Sequence, residues 1–367
     1  MPYVKRELPP YPCECDVWDT LASESRPIVV YGMGNGADKL FDRFEKYNIN
    51  VADIFASDGF VRGHSFRGRL VKSFSEIKAT YEDFVIVLSF ASSRPEVIEM
   101  LSEIDSKHEM YIPDMPVAGV DEYFDREFYN SNYRAICSAY NSLIDEESRC
   151  LFASVVSYKL TGKLEYLLEA YSSKDELYSL LSKKTVECYV DAGAYNGDTL
   201  KEAEHYFGSL ERAILIEPDP KNYKRLMKYL DNGCGVVSVA VNAAAWSECG
   251  EGAFAESGNR NSSVNSTPSY RHTERGVRLV SVDTLAECQV DFIKYDVEGA
   301  EAEALLGSEK TILRDTPTLL VSLYHRSRDI FAIVNDLYAK YGSKYDFYLR
   351  RLLSIPAWEL DLILLPK

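Results

Sequence analysis

The sequence predicts an α/β chain: a small N-terminal parallel α/β domain, a helical connector, and a C-terminal Rossmann-like sheet of seven strands closed by an antiparallel hairpin. Three observations carry this. Short apolar runs alternate with helical spacing twice, across residues 27–115 and again from residue 187, as parallel βα units do. Between them, residues 116–186 hold apolar residues at helical spacing and no strand signal as strong. The chain closes with two apolar runs, 345–352 and 360–365, joined by a short link, which is how adjacent antiparallel strands read.

Composition narrows the function classes. At about 150 residues per domain, a chain of 367 residues holds two or three domains. Apolar residues make up 46% and charged residues 27%, ordinary globular usage, which excludes disorder, collagen and coiled coil as whole-chain answers. No apolar run approaches the ~20 residues of a membrane span. Residues 1–7 lack an apolar core, so no signal peptide is expected. The net charge of −16 disfavours nucleic acid and anionic lipid as partners. Of the eight Cys, only Cys13 and Cys15 are close in sequence, and C-x-C alone makes no zinc site. The expectation is a reduced, cytoplasmic protein.

In chain order, residues 1–26 are rich in Pro and charge and read as an arm. Pro27-Ile28-Val29-Val30-Tyr31 is a buried strand, followed by the turn Gly32-Met33-Gly34-Asn35-Gly36-Ala37. A helix over 38–47 places Leu40, Phe41 and Phe44 on one face. Strands follow at 51–56 and 84–88, then a helix over 95–104. The G-x-G-x-x-A turn with Asp58 after the second strand has the form of a nucleotide turn, a weak signal alone. The run 58–71 resembles small Rossmann-like domains attached to sugar-modifying enzymes, which implies a sugar-nucleotide contact. The connector is expected to form helices over 133–143, 148–160 and 164–171, packed because their Leu, Tyr and Phe need burial. From 187 to 367, strands are expected at 188–190, 213–217, 236–241, 291–296, 318–324, 345–352 and 360–365. Residues 250–281 read as a hairpin with a long polar loop.

The chemistry concentrates at the strand ends. Asp191-Ala192-Gly193-Ala194-Tyr195-Asn196-Gly197-Asp198-Thr199 has the form D-x-G-x-x-x-G between a strand and a helix. Glycine permits close backbone approach, and the helix start offers free N–H groups. A dinucleotide turn would read G-x-G-x-x-G and bring a pyrophosphate there. Here an acid comes first and the last Gly one residue later, which suits a ligand with an amino-acid end and a ribose, such as S-adenosylmethionine. Glu217 ends the next strand, 20 residues after Gly197, where an acid accepts ribose hydroxyls in NAD enzymes also. A third cluster is Lys294-Tyr295-Asp296-Val297-Glu298-Gly299-Ala300-Glu301. Asp296 ends the fourth strand, beside the point where ligands sit in open α/β sheets.

These pieces resemble the FkbM family of S-adenosylmethionine-dependent methyltransferases, whose domain has the class I sheet. The likeness rests on Val190 to Thr199, Ile216-Glu217-Pro218, Val282-Asp283-Thr284-Leu285, Asp291 to Glu301, and Tyr324-His325-Arg326 with Tyr348-Leu349-Arg350. It covers residues 187–367, with a weaker echo at 143–149. The K-x-D-x-E-G-A-E run is the most specific part; Tyr295 stands where the family pattern has Ile. The resemblance implies that Asp191, Gly193, Asn196, Gly197, Thr199 and Glu217 hold S-adenosylmethionine. It also implies Asn242 and Ala243 by the adenine, and Asp296 and Glu298 near the sulfonium and the acceptor. His325 would face the same pocket as general base, with Asp296 as the other catalytic candidate. The acceptor would be a hydroxyl on a saccharide or related small metabolite. No metal is expected, because no third ligand is identifiable beside Asp296 and Glu298.

Two other readings stand beside this one: a non-catalytic nucleotide- or S-adenosylmethionine-binding scaffold, and an NAD-dependent oxidoreductase using the Gly32–Ala37 turn. The loop 252–278 carries Arg260, Arg271, His272, Arg275 and Arg278. They could hold an anionic group of the acceptor or simply be solvated. Arg326, Arg328, Arg350 and Arg351 share that ambiguity. The oligomeric state stays open.

Overall fold

The computed structural model describes residues 4–61, 63–119, 122–233, 235–255, 263–264 and 274–367. Two sheets position everything else. The N-terminal sheet has the strand order Lys72–Ser73, Val51–Ala56, Ile28–Tyr31, Val85–Leu88 and Met110–Tyr111, all parallel. Its central strands are buried at every residue, because helices on both faces leave no wet side. The helix Asn35–Tyr47 turns Leu40, Phe41 and Phe44 inward and ends at Asn48, which takes the left-handed conformation at φ 53°.

The described part of the expected arm is not an arm. Asp16 caps a helix, Val17–Ser23, whose Trp18 is buried and stacks on Tyr47 at 5.8 Å between ring centres. The buried Arg43 guanidinium lies over Trp18, Tyr47 and Tyr123, and such stacking keeps a planar cation comfortable where water is absent. Further back, Cys13 N–H donates to Asn130 Oδ1 at 2.8 Å. Proline and charge masked a segment that carries its own apolar anchor.

The connector contains the helices Arg126–Ser142, Glu146–Thr161, Glu165–Leu168 and Lys174–Leu181. Glu146–Thr161 is buried almost all round, so it is an interior helix rather than a surface one. Asp145 caps its start, and Gly162 at φ 65° ends it.

The C-terminal sheet has the order Val237–Val241, Arg212–Ile216, Cys188–Ala192, Phe292–Tyr295, Thr318–Ser322, Leu360–Pro366 and Tyr345–Arg351. The first five run parallel, and Leu360–Pro366 inserts antiparallel between its two neighbours. The order reverses between Cys188–Ala192 and Phe292–Tyr295, which opens a crevice at their carboxyl ends. Gly250–Ala255 pairs antiparallel with Glu274–Val280 in a separate ribbon. Arg260, Arg271 and His272 of the loop 252–278, and the side chain of Arg275, lie outside the described residues.

The parts are tied together at the backbone. Ser92 and Ile355 exchange N–H···O bonds of 2.7 and 2.9 Å, and Ser172 N–H donates to Arg351 O at 2.8 Å. One apolar core runs from Val29 and Ile86 of the first sheet through Phe152 to Ile293 and Leu362 of the second. No helix among the described residues is long and apolar enough to cross a membrane.

Candidate active site

A cleft of about 580 Å³ lies over the carboxyl ends of the central strands of the second sheet. Its floor is the first turn. Asp191, near the end of Cys188–Ala192, is fully buried. The Thr199 hydroxyl donates to Asp191 Oδ2. The other oxygen, Oδ1, has no hydrogen-bond partner, and Lys294 Nζ lies 3.8 Å from it. Burial raises the Asp191 pKa despite the nearby ammonium.

Gly193 and Gly197 adopt φ of 95° and 90°. Both are demanded by the protein's own packing. A Cβ on Gly193 would sit 1.9 Å from Asp296 O, and one on Gly197 would sit 2.8 Å from Tyr229 Cδ1. Asn196 Oδ1 accepts from Asp198 N–H at 3.2 Å and stands behind the cleft wall.

Glu217 follows the strand Arg212–Ile216 and is 5% exposed. Its Oε2 accepts from Tyr195 N–H and its Oε1 from Asp219 N–H, each at 2.8 Å. Burial pushes its pKa up to about 8 against those two donors. Its carboxylate therefore faces the cleft with unused acceptor capacity. Asn242, expected beside the adenine, instead donates Nδ2 to Glu217 O at 2.8 Å and Pro218 O at 3.1 Å. Ala243 is fully buried, and Ala244 and Ala245 form that part of the wall. Asn242 and Ala243 themselves do not line the cleft.

The far end of the cleft is acidic. Lys294 Nζ contacts Asp296 Oδ2 at 3.1 Å, and Tyr324 donates to Asp296 Oδ1 at 3.0 Å. Burial opposes ionisation of Asp296, but Lys294 and then His325 outweigh it and hold its pKa down at about 2. Glu298 adopts the left-handed region at φ 55°, a backbone state that costs an acidic residue ~1 kcal/mol or more. Burial raises its pKa to about 8, with His325 pulling the other way.

His325 departs from expectation. It is fully buried and stands behind the wall rather than in it. Burial disfavours its imidazolium, yet Glu301, then Glu298 and Asp296, raise its pKa to about 10. The reading of His325 as general base places it in the cleft, whereas the structure sets its ring behind the wall, with Nδ1 2.9 Å from Glu301 Oε1. The strand Thr318–Ser322 ends three residues earlier, and by His325 the chain has passed beneath the cleft, where Ala118 N–H binds its carbonyl at 2.8 Å.

The arginines left ambiguous by sequence have internal partners. Arg326 Nε donates to Gly299 O at 2.8 Å, and Arg328 pairs with Glu122 at 2.6 Å. Arg350 pairs with Asp145 at 2.7 Å and Glu147 at 3.0 Å. Arg351 is buried against the carbonyls of Leu167, Ala170 and Ser354. In the N-terminal turn, Cβ atoms on Gly32 and Gly36 would fall 2.4 Å from Ser89 Oγ and 2.1 Å from Ser89 O. Those glycines are required where the turn packs on the end of Val85–Leu88. Asp58 accepts from the Ser75 hydroxyl at 2.6 Å.

Sequence reasoning missed three walls of the cleft. Val117, Ser172 and Lys174 come from the connector, Leu353, Trp358 and Glu359 from the link before the last strand, and Ser93 from the N-terminal domain. No local pattern marks them, because only tertiary packing brings them there. Lys294 was visible within its motif but not as the cation shared by Asp191 and Asp296.

Residues 191–347 match the family described as the methyltransferase FkbM domain. No curated protein matches the chain significantly. Among solved structures, the chain is similar to methyltransferase FkbM from Methylobacillus flagellatus KT, at 20% identity and TM-score 0.68, over 97% of this chain and 94% of that one. It is also similar to an rRNA methylase from Streptococcus thermophilus, at 12% identity and TM-score 0.33, over 52% of this chain and 94% of that one. Fibrillarin from Aeropyrum pernix with natively bound S-adenosyl-L-methionine is a further neighbour, at 14% identity and TM-score 0.32, over 52% and 74%. The matched segment holds the glycine turn, Glu217 and the whole Lys294-to-Glu301 run, so residues 191–347 are similar to the methyltransferase FkbM domain.

Proposed function

We propose that the protein transfers a methyl group from S-adenosylmethionine to a hydroxyl of a saccharide or related small metabolite. The observation that carries this reading is the pair of buried acids at adjacent strand ends. Asp191 keeps an oxygen without a hydrogen-bond partner, and Glu217 has its pKa raised to about 8 by burial. Acids held out of water in this way favour a cationic ligand rich in hydroxyl donors. S-adenosylmethionine has an ammonium, a sulfonium and two ribose hydroxyls, whereas a pyrophosphate would meet like charge.

When bound, S-adenosylmethionine supplies a methyl group on a strong leaving group. Glu217 accepts the ribose hydroxyls, and its orientation is set by Tyr195 and Asp219 N–H. Asp191, steadied by Thr199, takes the ammonium end. Asp296, kept anionic by Lys294 and Tyr324, stabilises positive charge at the acceptor end. The hydroxyl proton leaves toward Asp296, the acid at that end that is ionised at neutral pH, a step worth roughly 10²–10⁴-fold in such reactions. The remaining work is placement of the acceptor oxygen about 3 Å from the methyl with water excluded. The acid-lined cleft and the net charge of −16 favour a small neutral acceptor over nucleic acid. The oxygen assignment and the saccharide class rest on the family resemblance.

Calorimetric titration with S-adenosylmethionine tests the reading. The expected result is binding that Glu217→Ala weakens at least tenfold, about 1.4 kcal/mol, followed by turnover with a sugar hydroxyl in an acceptor screen. Absence of binding by the unaltered protein overturns it.

A further inference from the structure

Two thiols far apart in sequence meet at the amino ends of the second sheet's central strands. Cys188 Sγ and Cys288 Sγ lie 3.3 Å apart across 100 positions of chain, and both are free thiols. Cys188 opens the strand Cys188–Ala192 and is 4% exposed. Cys288 is half-buried and lies shortly before Phe292–Tyr295, the strand that pairs in parallel with Cys188–Ala192. The cleft lies over the opposite, carboxyl ends of the same two strands.

The backbone holds the pair together. Cys188 N–H donates to Asp291 Oδ2 at 2.9 Å, and Asp291 N–H donates back to Cys188 O at 3.0 Å. On the other side, Val290 N–H donates to Asp315 Oδ2 at 2.9 Å, and the Arg314 guanidinium donates to Cys288 O at 2.9 Å. Residues 288–291 are thus anchored both on Cys188 and on the pair Arg314 and Asp315. A disulfide needs sulfurs about 2.05 Å apart, about 1.2 Å closer than they stand, and side-chain rotation supplies a change of that size. The two sulfurs differ in access. Burial, then the neighbouring sulfur, raises the Cys188 pKa, which keeps Cys188 a protonated thiol. Cys288 reaches solvent and is the one an oxidant meets first.

We propose that Cys188 and Cys288 form a disulfide on oxidation by a peroxide, stapling the central strands at the ends away from the cleft. The Cys288 thiol takes one oxygen from hydrogen peroxide, which leaves a sulfenic acid and one water. The Cys188 sulfur then attacks the Cys288 sulfur. The S–O bond breaks as the S–S bond forms, and the hydroxide departs with the Cys188 proton as a second water. Two electrons pass from the thiols to the peroxide. The bond closes a long loop, spanning 100 positions, and long loops are where a crosslink restricts the unfolded chain most.

The test treats the reduced full chain with hydrogen peroxide, digests it without reductant and reads the peptides by mass spectrometry. The peptides holding Cys188 and Cys288 are expected to be joined, with the loss of two hydrogens. Tm should rise by roughly 5 °C or more, and dithiothreitol should reverse the rise. Cys288→Ser should abolish both effects, while Cys249→Ser, which removes an exposed thiol elsewhere, should keep both. If Cys288→Ser fails to fold by circular dichroism, the joined peptides and the reversible Tm shift of the unaltered protein decide. No joined peptide at a peroxide concentration that oxidises Cys249 overturns the proposal, as does Cys288 joined to a different cysteine. Joined peptides with an unchanged or lowered Tm overturn the staple. No cofactor enters the measurement, so its outcome is independent of the methyl-transfer reading.

Discussion

A Cβ placed on Gly193 would come within 1.9 Å of the carbonyl oxygen of Asp296. The two central strands therefore close on each other beneath the cleft with room for hydrogen alone. Gly193→Ala is expected to lose ~3 kcal/mol or more, from the clash and from its φ of 95°. Urea melts measure the loss, and S-adenosylmethionine titration should show binding gone. A variant that melts like the parent would show that the strand ends can part.

Adenosine binding should depend on pH through Glu217. With its pKa near 8, the carboxyl is mostly protonated at neutral pH, and a protonated acid accepts ribose hydroxyls poorly. Affinity should rise as pH increases from about 6.5, be half-way up near 8 and level off about one unit above that. Adenosine is the right probe because it has no group of its own that titrates in that range. In Glu217→Gln the slope should vanish. A flat profile in the unaltered protein would mean that the acid is already ionised.

Arg351 should hold one wall of the cleft in place. Its guanidinium binds the carbonyls of Ala170 at 3.1 Å and Ser354 at 2.9 Å, and that of Leu167 as well. Arg351→Met strips those buried acceptors of their donors, a loss of about 3 kcal/mol or more. Faster proteolysis between residues 352 and 359 should accompany a lower Tm. Unchanged cleavage there would show that the link is held by other contacts.

Acid stability should depend on Arg26. The side chain binds Glu24 at 2.6 Å and Glu109 at 2.5 Å, and its hydrogen bonds hold both carboxyl pKa values down at about 2. Folded values below the unfolded reference of about 4.3 mean that this stabilisation is complete above that pH. It is lost as pH falls toward 2. Arg26→Ala should cost about 1–2 kcal/mol at pH 7. The gap between variant and parent should narrow at pH 3. A gap independent of pH would put the effect down to packing.

The alternation of strands and helices is legible in the sequence because strands buried on both faces are short apolar runs, as in Ile28–Tyr31 and Cys188–Ala192. The acids that end them are legible too, since a charge after such a run has only the crevice to face. Glu217 and Asp296 line the cleft for that reason, and Asp191 is buried at the end of the strand beside them. His325 follows the same pattern but lies buried behind the wall, because its strand ends three residues before it. Trp18 is hidden by its polar neighbours. Its burial depends on Arg43 and Tyr47, residues whose part no local window shows. Ser93 and Lys174 belong to the cleft only through the packing of the connector.

The order of the C-terminal sheet separates inheritance from self-assembly. The segment similar to the FkbM domain ends at residue 347, within Tyr345–Arg351, the outermost strand. Leu360–Pro366, which follows it in sequence, is the strand that joins Tyr345–Arg351 to the rest of the sheet. A fragment cut to the shared boundaries would have a gap where an interior strand belongs. It would also lack the link that bonds to Ser92. The stretch that homology recognises is thus shorter than the smallest piece able to hold its own shape, and grafting experiments should carry the last strand with it.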